Sequence, residues 1–373
     1  MALLPTSPLF QALRPFHPAQ FPYLRFVLTL ALGGLSGFVF QKLNVPLPWM
    51  LGPMCVITLA VLMHLPVSAP AVVRAPMTGL IGVMLGTSFS PGLLAQLPQW
   101  SLTLALQVVL LVLLAIIGVW YYRVVARLDP VTAFYSGMPG GMLEMSMTGE
   151  DQGGDGQTII LIHSARVLMI VATVPFIVQF VEGVNLGPRQ ASALSVSDAP
   201  VATFLWLSLL AVIGAVIGKR LRLPAHNLFG PMFLSIAVHV TGLTDFVMPR
   251  EIVVGAQIML GCVTGCRFLG YSKRQILRIL LLSAGATLLL LMVTLLFCFG
   301  LSKWPGVGLS ASLLALAPAG ISEMSLIAVA LHMDVAFVIV HQLMRILIVA
   351  SSAALAFRWL GWPTNPPAPP PAP

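Results

Sequence analysis

Of 373 residues 58% are hydrophobic and only 8% charged, against roughly 25% charged in soluble domains, which excludes a soluble enzyme or nucleic-acid-binding domain and reads as an all-α polytopic membrane protein. The formal net charge of +8 then reports loops on one side of a bilayer rather than an affinity for nucleic acid. Cys55, Cys262, Cys266 and Cys298 all lie in apolar segments, where cysteine behaves as a small hydrophobe, and supply no metal-ligand set.

Residues 1–20 form an N-terminal extension with prolines at Pro5, Pro8, Pro15 and Pro18. It lacks the cationic start, apolar core and small-residue site of a cleaved signal. Apolar stretches of membrane-spanning length follow at 24–41, 47–65, 72–90, 101–124 and 156–181. The second half reproduces them at 199–218, 228–243, 252–269, 276–300 and 335–360. This divides the chain into a first membrane repeat (21–181), a polar joint (182–198), a second repeat (199–361) and a Pro-rich tail (362–373). The tail is expected to be extended and unpacked.

Between the last two spans of each half lies a segment that breaks the apolar pattern, at 130–149 and 306–333. The first carries Pro139-Gly140-Gly141 and Glu144, followed by Asp155 and, in the next span, His163 and Arg166; the second carries Pro318-Ala319-Gly320 and Glu323, followed by Asp334 and, in the next span, Gln342 and Arg345, 179 residues later without a gap. A repeat of this period is one half of the protein. Gly52-Pro53-Met54 returns as Gly230-Pro231-Met232, and Gly82 and Gly86 as Gly261 and Gly265. The four-residue glycine spacing predicts close helix packing.

Charge asymmetry relates the halves. With the motif segments crossing the membrane, the 17 loop Lys and Arg divide 9 to 8. With each segment entering and leaving on one side, 13 fall on the side of the N-terminus: Arg14, Arg25, Arg74, Arg123, Arg127, Lys219, Arg220, Arg222, Arg267, Lys273, Arg274, Arg278 and Arg358. Only Lys42, Arg189, Arg250 and Lys303 remain on the other. Because orientation follows this bias, the expected architecture is two inverted-topology repeats of about five spans each plus a broken or re-entrant segment, with the N-terminus cytoplasmic.

The duplicated P-x-G-x-x-E-M box with its downstream Asp and Arg, together with the Gly-Pro-Met and glycine echoes, resembles the AbrB-type duplicated bacterial membrane proteins over about 20–361. That family often carries labels of ammonia monooxygenase or of regulation of gene expression. The resemblance implies a bacterial inner-membrane protein and carries over no catalytic residue.

Arg166 and Arg345 sit mid-way along apolar runs. At the bilayer centre an arginine costs at least ~2.5–3.5 kcal/mol on insertion scales, so each must face protein or a hydrated cavity and find a partner. Two readings stand side by side. In one, each arginine forms a buried ion pair with Glu144 or Glu323 that fixes packing. In the other, Glu144, Glu323, Asp155, Asp334, Arg166 and Arg345 converge where the repeats meet and bind a substrate or ion. Pro139, Gly140, Gly141, Pro318 and Gly320 then supply the unwound backbone, which membrane depth tolerates only inside protein or beside a cavity. Asp155 and Asp334 also read as helix N-caps, and Glu144 and Glu323 as first-turn partners of a helix dipole. His163 and Gln342, three residues before the arginines, share their helical face.

The function expected is a secondary transporter of a small, anionic solute coupled to sodium or protons, with no catalytic residue, metal or resident cofactor. Its partners are the lipid bilayer and the solute, not nucleic acid; homo-oligomerisation is left open. The alternative is a membrane sensor or scaffold acting indirectly on gene expression. A copper monooxygenase needs clustered imidazoles, whereas the seven histidines are scattered.

Overall fold

A computed structural model describes residues 21–361 apart from 90, 93–96, 184–193, 224 and 305. The N-terminal extension, most of the joint and the Pro-rich tail lie outside the described residues. Among those described there are no strands, and the α-helices fall into two sets of seven. In the first half they are α1 (Tyr23–Lys42), α2 (Pro48–Leu62), α3 (Ala71–Gly86), α4 (Ser101–Trp120), α5 (Pro130–Gly137), α6 (Met142–Asp151) and α7 (Gly156–Glu182). In the second they are α8 (Val201–Arg220), α9 (His226–Val240), α10 (Arg250–Gly265), α11 (Lys273–Leu301), α12 (Leu309–Leu316), α13 (Ile321–Ala330) and α14 (Val335–Trp359). Helix lengths are identical for five of the seven pairs, α1 with α8, α2 with α9, α3 with α10, α5 with α12 and α6 with α13, while α4 and α11 differ at 20 and 29 residues.

Seven helical stretches are long and apolar enough to cross a membrane. Three of the ten expected spans are shorter: α2, α3 and α9 have 15, 16 and 15 residues. That is about 22–24 Å at 1.5 Å per residue, short of a ~30 Å hydrocarbon core. The shortening has a backbone cause at two of them. Leu47 and Ala225 precede α2 and α9 with φ of 51° and 44°, a left-handed conformation that a helix cannot continue through.

The halves interlock. Within each, the first two helices approach at glycine: a methyl on Gly52 would meet the backbone of Ser36 and Gly37, and one on Gly230 the backbone of Gly214 and Gly218. Across the halves, Gly82 lies on Leu228 and Gly86 on Ser235, seating α3 beside α9 in the same direction. Gly261 on Met50 and Gly265 on Ile57 seat α10 beside α2 in the same way. The close approach that four-residue glycine spacing permits is therefore made between repeats. The remaining helices form a second body in which α7 packs on α11, α4 on α5, and α14 on α12. The motif segments lie inside this body.

Candidate functional site

Each motif segment is a helical hairpin with its break at the tip. The outer ends of the first one meet: Thr132 Oγ1, at the start of α5, accepts from the Asp155 backbone N–H at 2.8 Å, and Gly154 lies against Val131. Going inward, α5 climbs in parallel with α7. Tyr135 is bonded to His163, and Met138 to Arg166. Helix α6 then returns antiparallel, Met142 against Ser164 and Ser146 against Gly156. Pro139-Gly140-Gly141 is thus the turn between two half-helices. In the second half the same contacts recur at Leu314, Ala317, Gln342 and Arg345.

The arginines hold the breaks. The last carbonyls of a helix have no partner within it. Arg166 Nη1 donates to the Met138 carbonyl at 3.1 Å, and Arg345 Nη1 donates to that of Ala317 at 2.7 Å. Arg345 Nη2 also donates to the Ala319 carbonyl. A cation at a helix C-terminus meets the negative end of its dipole as well. The residues three before them act alike: Gln342 Nε2 donates to the Leu314 carbonyl at 2.9 Å, and His163 Nε2 lies 2.9 Å from that of Tyr135. A carbonyl only accepts, so Nε2 of His163 bears the hydrogen and Nδ1 accepts from Arg166 Nη2 at 2.8 Å; the imidazole is neutral.

The buried ion pairs Arg166–Glu144 and Arg345–Glu323 do not form. Their place is taken by break carbonyls, because each hairpin presents the end of its first half-helix, rather than its returning carboxylate, to the arginine. Glu323 instead pairs with Arg267 at 3.6 Å and accepts from Ser322 Oγ at 2.8 Å. Glu144 is half-buried, and its Oε2 has no protein partner. Both carboxylates fold back over the glycine that starts their helix. A methyl at Gly320 would collide with the Glu323 carboxylate, and one at Gly141 would come within 3.1 Å of Glu144 Oε2. At Gly320 the glycine leaves room for the carboxylate rather than supplying a positive φ.

Asp155 and Asp334 are N-caps, accepting from the Thr158 and Phe337 backbone N–H groups at 3.1 and 3.0 Å. Each lies 11 residues before its arginine, about 16 Å along the helix, so the aspartates do not join the arginines. The two breaks do come together: Gly140 abuts Val349, one turn beyond Arg345. Arg166 and Arg345 are 2% and 3% exposed, yet Nε of each has no acceptor in the protein. Around the breaks, then, stand Arg166, Arg345 and Arg267 with the carboxylates of Glu323, paired to Arg267, and Glu144, paired to none of the three. Positive charge is in excess, and the helix N-termini of α6 and α13 add to it.

Comparison with known proteins places this arrangement. The family described as Transition state regulatory protein AbrB matches residues 49–361. The chain belongs to the AbrB family. Among AbrB relatives, "Uncharacterized protein YhjN" of Bacillus subtilis is 27% identical over 353 residues, covering 89% of this chain and 92% of that protein. "Putative regulator AbrB" of Escherichia coli is 25% identical over 333 residues, covering 87% and 93%. No solved structure matches. Together with the apolar helices, the match makes this AbrB protein a helical membrane protein.

Sequence reading missed Arg267, which it counted among loop cations. Its repeat counterpart is Ser88, so the duplication gave no signal; the available one was its position two residues past Gly265, on the stripe that binds the halves together. Also unforeseen was the bracing of α14 by α4: His341 Nε2 meets Thr103 Oγ1 at 2.9 Å, and Gln107 Nε2 donates to the His341 carbonyl at 2.8 Å.

Proposed function

We propose that this AbrB protein is a secondary transporter of a small organic anion, coupled to a sodium or proton gradient, with the solute held where the two broken hairpins meet. The observation that carries the reading is the pair of buried arginines, neither of which has a carboxylate within ion-pair distance among the described residues, their close partners being backbone carbonyls. A buried, partly unsatisfied cation is expensive in a membrane, and an anionic ligand between the breaks would offset that cost. Half-helix ends at the meeting of two repeats are also where transporters of this build bind solute and ion. Glu144, with a free carboxylate oxygen, is the group best placed to take the coupling cation.

The proposal includes two inverted repeats with re-entrant hairpins. In its support, α2 runs with α10 and α3 with α9. The charges of Arg74, at the start of α3, and Arg267, just past the end of α10, interact, which supports an antiparallel course for those two helices. Helix α2 and its counterpart α9 then run in opposite senses. The hairpin ends at Thr132 and Asp155 share one end of the molecule with Tyr271, which feels the Asp155 charge. That end gathers Arg74, Arg127 and Lys273, part of the Lys/Arg-rich set, and is assigned to the cytoplasm by the positive-inside rule. Placement in a bacterial inner membrane goes with it.

The test is thermal stabilisation of the detergent-purified protein across anionic metabolites, with and without sodium and at two pH values, since a ligand that binds the folded state raises its melting temperature. A stabilising anion whose effect vanishes in Arg166→Met or Arg345→Met, while those proteins still fold, supports the site. Undiminished stabilisation in both removes the arginines from it. The name of the Escherichia coli relative favours a second reading, a membrane sensor acting indirectly on expression; binding without uptake in proteoliposomes would select it. The monooxygenase label has no support: among the described residues no three His, Cys, Asp or Glu side chains are grouped so as to hold a metal ion.

A further inference from the structure

Between α4 and α14 runs a groove of about 700 Å³. Along α4 and the π-helical turn that continues it (Tyr121–Val125) the lining extends from Val108 to Val124, about 24 Å at helical rise, which exceeds the ~15 Å half-thickness of a hydrocarbon core. Its floor includes Met138 and Pro139, the tip of the first hairpin. Of the lining side chains only Arg123 and Ser352 are polar, and the Ser352 hydroxyl is spent on the Ile348 carbonyl at 2.6 Å. The interior of the groove is therefore apolar with a cation at one end.

That end has a particular composition. Trp120 and Trp359 are 53% and 91% exposed and line the groove with exposed Arg123; two further exposed arginines follow closely in the chain, Arg127 four residues after Arg123 and Arg358 next to Trp359. Tryptophan belts mark the membrane interface, and exposed arginines there attract anionic headgroups. The duplication provides an internal control. At the corresponding positions of the other half stand Phe299 for Trp120, Phe180 for Trp359, Ser302 for Arg123, Gly306 for Arg127 and Gln179 for Arg358. The nearest cation there is Lys303, which lies over the Phe299 ring. The other half keeps an exposed tryptophan near this end, Trp304 at 56%, but has no arginine at the corresponding positions.

We propose that this groove binds one anionic phospholipid, its acyl chain along α4 and its headgroup on Arg123, Arg127 and Arg358. Charge selects this occupant over a second copy of the chain. A two-fold contact brings the same surface patch of both copies together and would set these arginines against each other, whereas a phosphate neutralises them. A free anion would reach the arginines but leave the apolar groove unfilled. Because the Met138 carbonyl holds Arg166, the bound chain lies against the hairpin tip and steadies it. The inference does not depend on the transport reading.

Native mass spectrometry of the full chain, extracted from bilayers of phosphatidylcholine with graded phosphatidylglycerol, tests it. About one phosphatidylglycerol should be retained per chain in preference to phosphatidylcholine. Each arginine replaced by glutamine should reduce retention about fivefold, so Arg123→Gln with Arg127→Gln loses more than tenfold. Val112→Trp, at an exposed lining position, should block the groove and reduce retention with the arginines intact. Equal retention of both lipids, or unchanged phosphatidylglycerol in both variants, overturns the proposal. So does a dimer that Val112→Trp dissociates while lipid retention stays the same, because a second copy would then be the occupant.

Discussion

Arg166 donates to the carbonyl of Met138 at 3.1 Å across 28 residues of chain. This contact ties the middle of a long helix to the broken end of a short one, and Arg345 repeats it with Ala317 at the same separation. An unpaired carbonyl at that depth has no water to turn to. The arginines are therefore part of what makes each break possible, and any role in binding a solute is added to that one.

Replacing either arginine should accordingly destabilise the fold in a way its own half's glutamate cannot rescue. Arg166→Met should lower stability by about 1.5–3 kcal/mol, the usual worth of a hydrogen bond from a charged donor. Adding Glu144→Gln should restore none of it. Melting of the single and double variants in detergent measures this, and recovery in the double variant would reinstate the ion pair.

Arg267 and Glu323 should behave oppositely. Removing one member of a buried pair leaves an uncompensated charge and costs ~3–5 kcal/mol, so Arg267→Met should be severe. Arg267→Met with Glu323→Gln should recover much of the loss. A double-mutant cycle should give a larger coupling for Arg267 with Glu323 than for Arg345 with Glu323, since only the former lie within 4 Å.

Gly320→Ala should fail for want of space rather than backbone strain. Its methyl would meet the Glu323 carboxylate, and overpacking of this kind costs about 1–3 kcal/mol. The same substitution with Glu323 shortened to serine should be tolerated. If Gly320→Ala is equally harmful in both backgrounds, the carboxylate is not what requires glycine.

Asp155→Ala and Asp334→Ala should each cost about 1 kcal/mol, the value of an N-cap. They should leave ligand-induced stabilisation intact, because their side chains bond Thr158 and Phe337. Loss of ligand response at unchanged stability would bring the aspartates back into the site.

Single cysteines at Arg274 and Lys303, in a background lacking the native four, should react from opposite sides of the membrane with an impermeant thiol reagent. The 29-residue α11 separates the two positions. Labelling of both from one side would reject the crossing and with it the inverted arrangement.

Much of this was legible along the chain. The 179-residue period, the membrane class and the breaks at Pro139-Gly140-Gly141 and Pro318-Ala319-Gly320 follow from composition and spacing. They are local properties: apolar length determines a span, and proline with glycine interrupts a helix whatever surrounds it. The motif 306–333 was apolar enough to pass for a span, and only its division into 8- and 10-residue helices shows the hairpin. Which partners the arginines take could not be read in the same way. Glu144 and Met138 are both plausible distances from Arg166 in sequence, and the choice depends on which half-helix end the hairpin turns toward α7. Arg267 passed for a loop cation because a charge count cannot tell a guanidinium in water from one folded beneath the second hairpin. Spacing determines neighbours on one helix; contacts between helices depend on how the elements pack, and that only the tertiary structure decided.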